Sequence, residues 1–190
     1  MRVFAAVELP EEVRHRIAAA ARSLLEGVRA ARPVREENLH VTVRFVGEVA
    51  SSAVDPLLAG VRDAAASVAK GSASARGVGA FPNARRPRVV WVGLDDPAAV
   101  FTSVEAAISE RLAPLGYRRE DRPFSAHVTV ARMRDGVRNL GPLSERLASA
   151  AREAPAFGAV PVDAVTVFQS ELGSSGSRYT ALARFPLRVA

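Results

Sequence analysis

Apolar and polar positions change their period several times along the chain, and each change marks an element. Residues 2–9 are apolar at nearly every position and stop at Pro10, which predicts a strand. Residues 11–30 carry the spacing of an amphipathic helix. Pro10 suits its first turn, and Glu11 and Glu12 complement the positive end of its dipole. A polar link over 33–38 leads into an apolar, β-branched run at 39–46, read as a strand that ends at Gly47. A second helix is predicted over 55–70, with Gly71 as its stop signal. Residues 72–81 and 89–94 read as strands around a basic loop at 82–88, and Asp95-Asp96-Pro97 opens a third helix over 98–115. After an irregular charged stretch at 116–125 comes a strand at 126–131. A polar loop at 132–141, a short helix at 143–153, and closing strands at 160–169 and 178–189 complete the chain; a Gly/Ser-rich loop at 173–177 joins the last two. Strands and helices alternate throughout, so the class is α+β or α/β, with helices packed on sheet faces.

Composition narrows the picture. At 190 residues the chain is expected to form one domain, 1–190, or one domain of two similar lobes. It has no cysteine, which excludes disulfides and thiolate metal sites and suits a reducing compartment. The first residues are too soon charged for a signal peptide, and no run approaches the ~18–20 apolar residues of a membrane span. A cytoplasmic protein with no membrane partner is expected. Net charge is +6, and Lys70 is the only lysine among 26 basic residues. A basic surface favours polyanions, but biased codon usage explains an arginine excess equally well, so charge alone names no partner.

The candidate chemistry lies in a repeat. His40-Val41-Thr42-Val43 recurs as His127-Val128-Thr129-Val130, and these two copies hold two of the three histidines. The third, His15, sits among charged residues and is read as exposed. In a strand the side chains alternate, so each motif offers one imidazole and one hydroxyl on the same face. Two histidines near neutral pKa supply an acid and a base in one turnover, as in-line attack on phosphorus requires. Thr42 and Thr129 would donate to non-bridging oxygens, and arginine would offset the charge that builds there. Alternation places Arg44 on the face of Thr42. It places Arg132 on the wrong face, so Arg132 reaches the site only if the strand has ended or bulged. A lone strand histidine is usually structural, but a repeated pair with the same partner at the same offset is not. No HExxH, GxSxG or GxxxxGK[ST] pattern occurs, which argues against a metalloprotease-type centre, a serine triad and a nucleotide phosphate loop. Trp91 and Phe45 read as core residues, and Arg85, Arg86 and Arg88 as a loop that is either solvated or steers a polyanion.

Two HxTx motifs on strands resemble the signature of the two-histidine (2H) phosphoesterase superfamily, and within it the RNA 2′,3′-cyclic phosphodiesterases, also called 2′-5′ RNA ligases. Flanking blocks strengthen the likeness: Arg2 to Val7; Asn38 to Gly47; Gly79 to Pro82 with Arg86 to Trp91; Arg122-Pro123-Phe124 with His127 to Arg132; and Phe168 to Leu172 with Tyr179 and Phe185 to Leu187. Ala126 departs from the family, which commonly has proline there. The resemblance implies an α+β, bilobal fold in which two pseudo-twofold-related antiparallel sheets line a central cleft, with helices on the outer faces. It implies hydrolysis of an RNA 2′,3′-cyclic phosphate, or of a cyclic nucleotide, to a 2′-phosphomonoester, with no metal or nucleotide cofactor. It implies His40 as proton donor, His127 as proton acceptor, and Thr42, Thr129 and Arg132 as phosphate ligands. The same groups could run the reverse, ligating reaction; a non-catalytic RNA-binding module is the reading from another class. Nothing demands more than a monomer.

Overall fold

Strand β1, Arg2–Glu8, is the spine of one half of the molecule, and its alternation decides which way everything else faces. Val3, Ala5 and Val7 enter the hydrophobic core, while Phe4 and Ala6 turn to the opposite face. The computed structural model of the chain describes residues 1–119, 121–134, 140–173 and 176–189. The polar loop expected at 132–141, the loop at 173–177 and the irregular stretch at 116–125 therefore lie partly outside the described residues.

The remaining elements follow in order: α1 Glu11–Leu24, β2 Ala31–Pro33, β3 His40–Glu48, α2 Val54–Ser67, β4 Gly71–Phe81, β5 Val89–Asp95, α3 Val100–Leu112, β6 His127–Met133, α4 Gly141–Glu153, β7 Ala156–Val162, β8 Ala164–Gly173 and β9 Gly176–Pro186. The strands form an antiparallel sheet in the order β7-β4-β5-β6-β3-β1-β8-β9, and β2 pairs with β6 beside the end of β3. The architecture is α+β. Its two halves, β7-β4-β5-β6 and β3-β1-β8-β9, have mirrored strand roles about the β3–β6 junction. A single residue pair joins them there, Val41 with Val128, the same position of the two HVTV motifs. The two pseudo-twofold-related sheets that the resemblance implies are the halves of one curled antiparallel sheet, joined at a narrow waist.

Helices cover one face of each half. α1 and α4 lie over β4, β6 and β7; α2 and α3 lie over β3, β8 and β9. Val13 and Ile17 of α1, Leu57 and Val61 of α2, Phe101, Val104 and Ile108 of α3, and Leu143 and Leu147 of α4 form the core with the inward valines of the strands. Burying one such side chain is worth about 1.5–3 kcal/mol, and this apolar layer fixes which strand face is left for function. No helix is long and apolar enough to cross a membrane, among the described residues.

Several boundaries differ from expectation, three of them for reasons the structure makes plain. The helix expected over 11–30 ends at Leu24, and Gly27, at φ +71°, turns the chain into β2. The strand expected over 160–169 is two strands, because the chain reverses at Asp163: β7 pairs with β4 and β8 with β1, at opposite ends of the sheet. The third helix starts at Val100 because Asp96 accepts the Val100 and Phe101 N–H groups at 3.0 and 2.9 Å.

Candidate active site

The uncovered face of the waist carries both motifs. Their burial runs in parallel: His40, Thr42, His127 and Thr129 are half-buried, whereas Val41, Val43, Val128 and Val130 are buried. The antiparallel register that sets Val41 against Val128 brings His40 toward Thr129 and Thr42 toward His127. Both imidazoles therefore lie on the same uncovered face, on adjacent strands of the curled sheet, and the hollow of that face is the candidate cleft.

A β-bulge interrupts each motif at the same residue. On β1, Ala6 pairs with Thr42 and Ala5 with Arg44, which leaves Val43 as the extra residue. On β5, Trp91 pairs with Thr129 and Val90 with Ala131, which leaves Val130 as the extra residue. A bulge adds one residue to one strand and resets the alternation beyond it. After it, Arg44 and Ala131 fall on the core side, and Phe45 and Arg132 fall on the cleft side.

This corrects one expectation and resolves another. Arg44 does not face the cleft: it is 4% exposed and donates to the Tyr117 carbonyl at 3.2 Å and to the Arg118 carbonyl. It anchors the segment after α3. Arg132, which strict alternation put on the wrong face, is exposed on the cleft side because the strand bulges. Phe45, expected in the core, is 55% exposed and packs toward Phe4, with ring centroids 6.2 Å apart. Trp91 also leaves the core. Its indole lies across Gly79, where an added Cβ would stand 2.3 Å from the ring, and its centroid is 6.5 Å from that of His127.

The same local contact fixes both imidazoles. His40 Nδ1 is 2.7 Å from the Asn38 carbonyl, and His127 Nδ1 is 2.7 Å from the Ser125 carbonyl. A carbonyl oxygen only accepts, so each Nδ1 carries the proton and each Nε2 is left for chemistry. His40 Nε2 is 2.8 Å from Thr42 Oγ1. In the neutral ring the hydroxyl donates to it. His127 Nε2 has no hydrogen-bond partner among the described residues.

The surroundings of the two rings differ. His40 stacks on Phe4 at 4.9 Å and meets the edge of Tyr179 at 5.4 Å, with Phe168 behind. His127 meets Phe81 edge-on at 5.2 Å. Burial among these rings lowers the pKa of His40 below 6.5, and the Asn38 hydrogen bond opposes it; coupling to His127 and the nearby Arg132 guanidinium lower it further. Free protein therefore favours neutral His40. An NMR titration should place its midpoint below 6.5, and the Arg132→Ala variant should move that midpoint upward by removing a neighbouring cation. A midpoint unmoved by the substitution would place Arg132 too far away to act. Inorganic phosphate in the cleft should raise the midpoint as well, because an anion stabilises the imidazolium.

Among the described residues, no group of three or more His, Cys, Asp or Glu is placed to hold a metal ion. His15 is exposed, as expected, and faces Glu36 at 3.3 Å. Asn83 Oδ1 accepts the Arg85 and Arg86 N–H groups and shapes the basic loop beside Phe81. Sequence reasoning missed the aromatic surround of His40. Phe4, Phe168 and Tyr179 come from β1, β8 and β9, and only the sheet order brings them together.

The arrangement matches known proteins. The family model described as LigT like phosphoesterase matches twice, over residues 7–91 and 92–179, one copy for each HVTV motif. A protein of Archaeoglobus fulgidus named RNA 2′,3′-cyclic phosphodiesterase is 33% identical over 187 residues, which cover 97% of this chain and 99% of that protein. The crystal structure of TT0787 from Thermus thermophilus superposes with a TM-score of 0.81 at 30% identity and covers 100% of this chain and 99% of its own. The E. coli LigT structure complexed with 3′-AMP superposes with a TM-score of 0.76 at 26% identity, covering 98% of this chain and 97% of its own.

Proposed function

Because this chain belongs to the LigT-like phosphoesterase family, we propose that the His40–His127 cleft hydrolyses RNA 2′,3′-cyclic phosphates to 2′-phosphomonoesters. The observation that carries the reading is the shared tautomer: two imidazoles on adjacent strands, each pinned at Nδ1, each turning Nε2 to the same cleft. Cyclic phosphodiesterase is the activity of the relatives over nearly the full chain, and a hydrolase acting on a phosphodiester is the enzyme class.

In this reading His127 Nε2, which is unpartnered among the described residues, takes a proton from the attacking water as the new P–O bond forms. The P–O3′ bond breaks on the opposite side, and His40 gives its Nε2 proton to O3′. A proton on His40 is weakly held, which makes the ring a stronger acid at the moment of transfer. Binding the anionic substrate offsets the repulsion from Arg132, so the substrate itself helps load that proton. Before transfer Thr42 Oγ1 accepts from the Nε2 proton and turns its own hydrogen to a phosphate oxygen; O3′ replaces Oγ1 as the acceptor as the P–O3′ bond breaks. Thr129 donates from the other strand. Arg132, exposed on the cleft side, offsets the charge on the equatorial oxygens. Chemistry of this kind asks for no metal, and a monomer carries every group it needs.

The direct test is incubation with a 2′,3′-cyclic nucleotide in EDTA, with product analysis. A 2′-phosphomonoester at an undiminished rate is expected. Binding without turnover would support an RNA-binding module, and turnover lost on chelation a metal enzyme. The threonines give a graded check. Thr42→Val and Thr129→Val each remove one donor and should each cost about 1–3 kcal/mol of transition-state stabilisation, roughly 5- to 150-fold in kcat/KM. An unchanged kcat/KM in both variants would take the hydroxyls out of the site.

A further inference from the structure

β2 carries an arginine that the cyclic phosphate does not need. The register of β2 on β6 sets Arg32 directly opposite Arg132. The neighbouring pair, Ala31 with Met133, packs against the core, so Arg32 and Arg132 leave the sheet on the cleft side. Both are exposed, and neither forms an ion pair among the described residues. Exposed Arg88 and Arg134 stand at the same end: the Arg88 carbonyl accepts the Met133 N–H, and the Arg134 N–H donates to Ala30, each at 2.9 Å.

Directly opposed side chains in an antiparallel ladder have Cβ atoms ~4.5–5.5 Å apart, and like charges there are destabilising. A bound anion supplies the charge that such a pair lacks. The position also matters. β2 takes the place of β3 alongside β6, so Arg32 continues the cleft past the His40 side of the waist. At ~3.3 Å per residue, Arg132 stands ~10–13 Å along β6 from the Val41–Val128 junction. Arg132 reaches back along the strand face toward the reacting phosphate, and Arg32, across the ladder from it, meets the next phosphate of the strand.

We propose that Arg32, paired with Arg132, forms a phosphodiester subsite next to the reacting phosphate, so that the cleft selects an RNA strand bearing a terminal 2′,3′-cyclic phosphate over a cyclic mononucleotide. The proposal rests on the cyclic phosphodiesterase reading and adds the residue by which that site recognises the strand upstream of the cyclic phosphate. Arg132 serves the reacting phosphate, and Arg32 takes a phosphate upstream in the strand.

The test compares wild type and Arg32→Gln on cytidine 2′,3′-cyclic phosphate and on a short single-stranded oligonucleotide with the same 3′ end, across a range of salt. KM for the oligonucleotide should rise about tenfold in the variant, as expected for one lost charge-assisted contact. The slope of log affinity against log salt should become shallower by about 0.7, one phosphate contact on a single strand. On the mononucleotide kcat and KM should stay as in wild type, and Tm should hold or rise as the like-charge pair is relieved. Equal changes in KM on both substrates, or an oligonucleotide KM and salt slope that do not move, would overturn the subsite. Should wild type turn over neither substrate, the phosphodiesterase reading fails on its own. The subsite is then tested by equilibrium binding of an oligonucleotide 3′-phosphate: weaker, less salt-dependent binding in Arg32→Gln supports it, and unchanged binding overturns it.

Discussion

Replacing His127 by alanine is expected to lower kcat on a 2′,3′-cyclic phosphate by about 10²–10⁴, and His40→Ala by a similar factor, because each ring handles one proton in the same step. The two losses should not multiply. Once one proton transfer is lost the other ring contributes little, so the double variant should be scarcely slower than the worse single one. The roles can be separated with the leaving group. O3′ of ribose leaves as a poor alkoxide and needs a proton, whereas a p-nitrophenolate leaves without one. On a p-nitrophenyl phosphodiester, His40→Ala should recover most of the wild-type rate, and His127→Ala should stay impaired because water still needs its base. Recovery by His127→Ala instead would exchange the two roles. A near-normal rate on the cyclic phosphate in either variant would sink the acid–base assignment altogether. A bell-shaped dependence of kcat/KM on pH is part of the same expectation. If His40 is the acid, its protonated form in free protein is lost as pH rises through a value below 6.5, so the falling limb starts lower than an ordinary histidine would place it. A flat profile would count against the pair.

How much of this was legible without coordinates depends on what each feature rests upon. The motifs were legible because a strand's period of two holds over the three residues from His40 to Thr42, and from His127 to Thr129, whatever the rest of the chain does. One residue further it was not. The bulges at Val43 and Val130 come from pairing with β1 and β5, so nothing local announces them. A signal did exist in comparing the copies: the position after each motif holds arginine in one and alanine in the other, and the next holds phenylalanine and arginine. Polarity falls out of step at the same place twice. Phe45 leaves the core for the same reason. Trp91 leaves it because its resting place is a neighbouring strand's Gly79, which only the β4–β5 register identifies. β7 and β8 merged into one expected strand because the apolar run continues on both sides of Asp163, and only long-range partners distinguish them. Short β2, with Pro33 inside it, carries no strand pattern of its own; it is recruited by β6.

The bulge makes a crossed prediction for the two arginines that alternation would have exchanged. Arg132→Ala should lower kcat/KM by about 10²–10³, the usual cost of removing one preorganised donor from a developing oxyanion, and should leave thermal stability near wild type because the side chain is exposed. Arg44→Ala should do the reverse. Its guanidinium is buried and serves the Tyr117 and Arg118 carbonyls, so its loss strands two acceptors and leaves a void between β3 and the end of α3. A loss of about 1–3 kcal/mol in unfolding free energy is expected, with kcat/KM of the folded fraction within a few-fold of wild type. Denaturant unfolding and steady-state kinetics on both variants read the two effects independently. A stable but inactive Arg44→Ala, or an active Arg132→Ala, would mean that the strands run unbulged through both motifs in solution. The alternation that Val43 and Val130 break would then have to be restored in any account of the cleft.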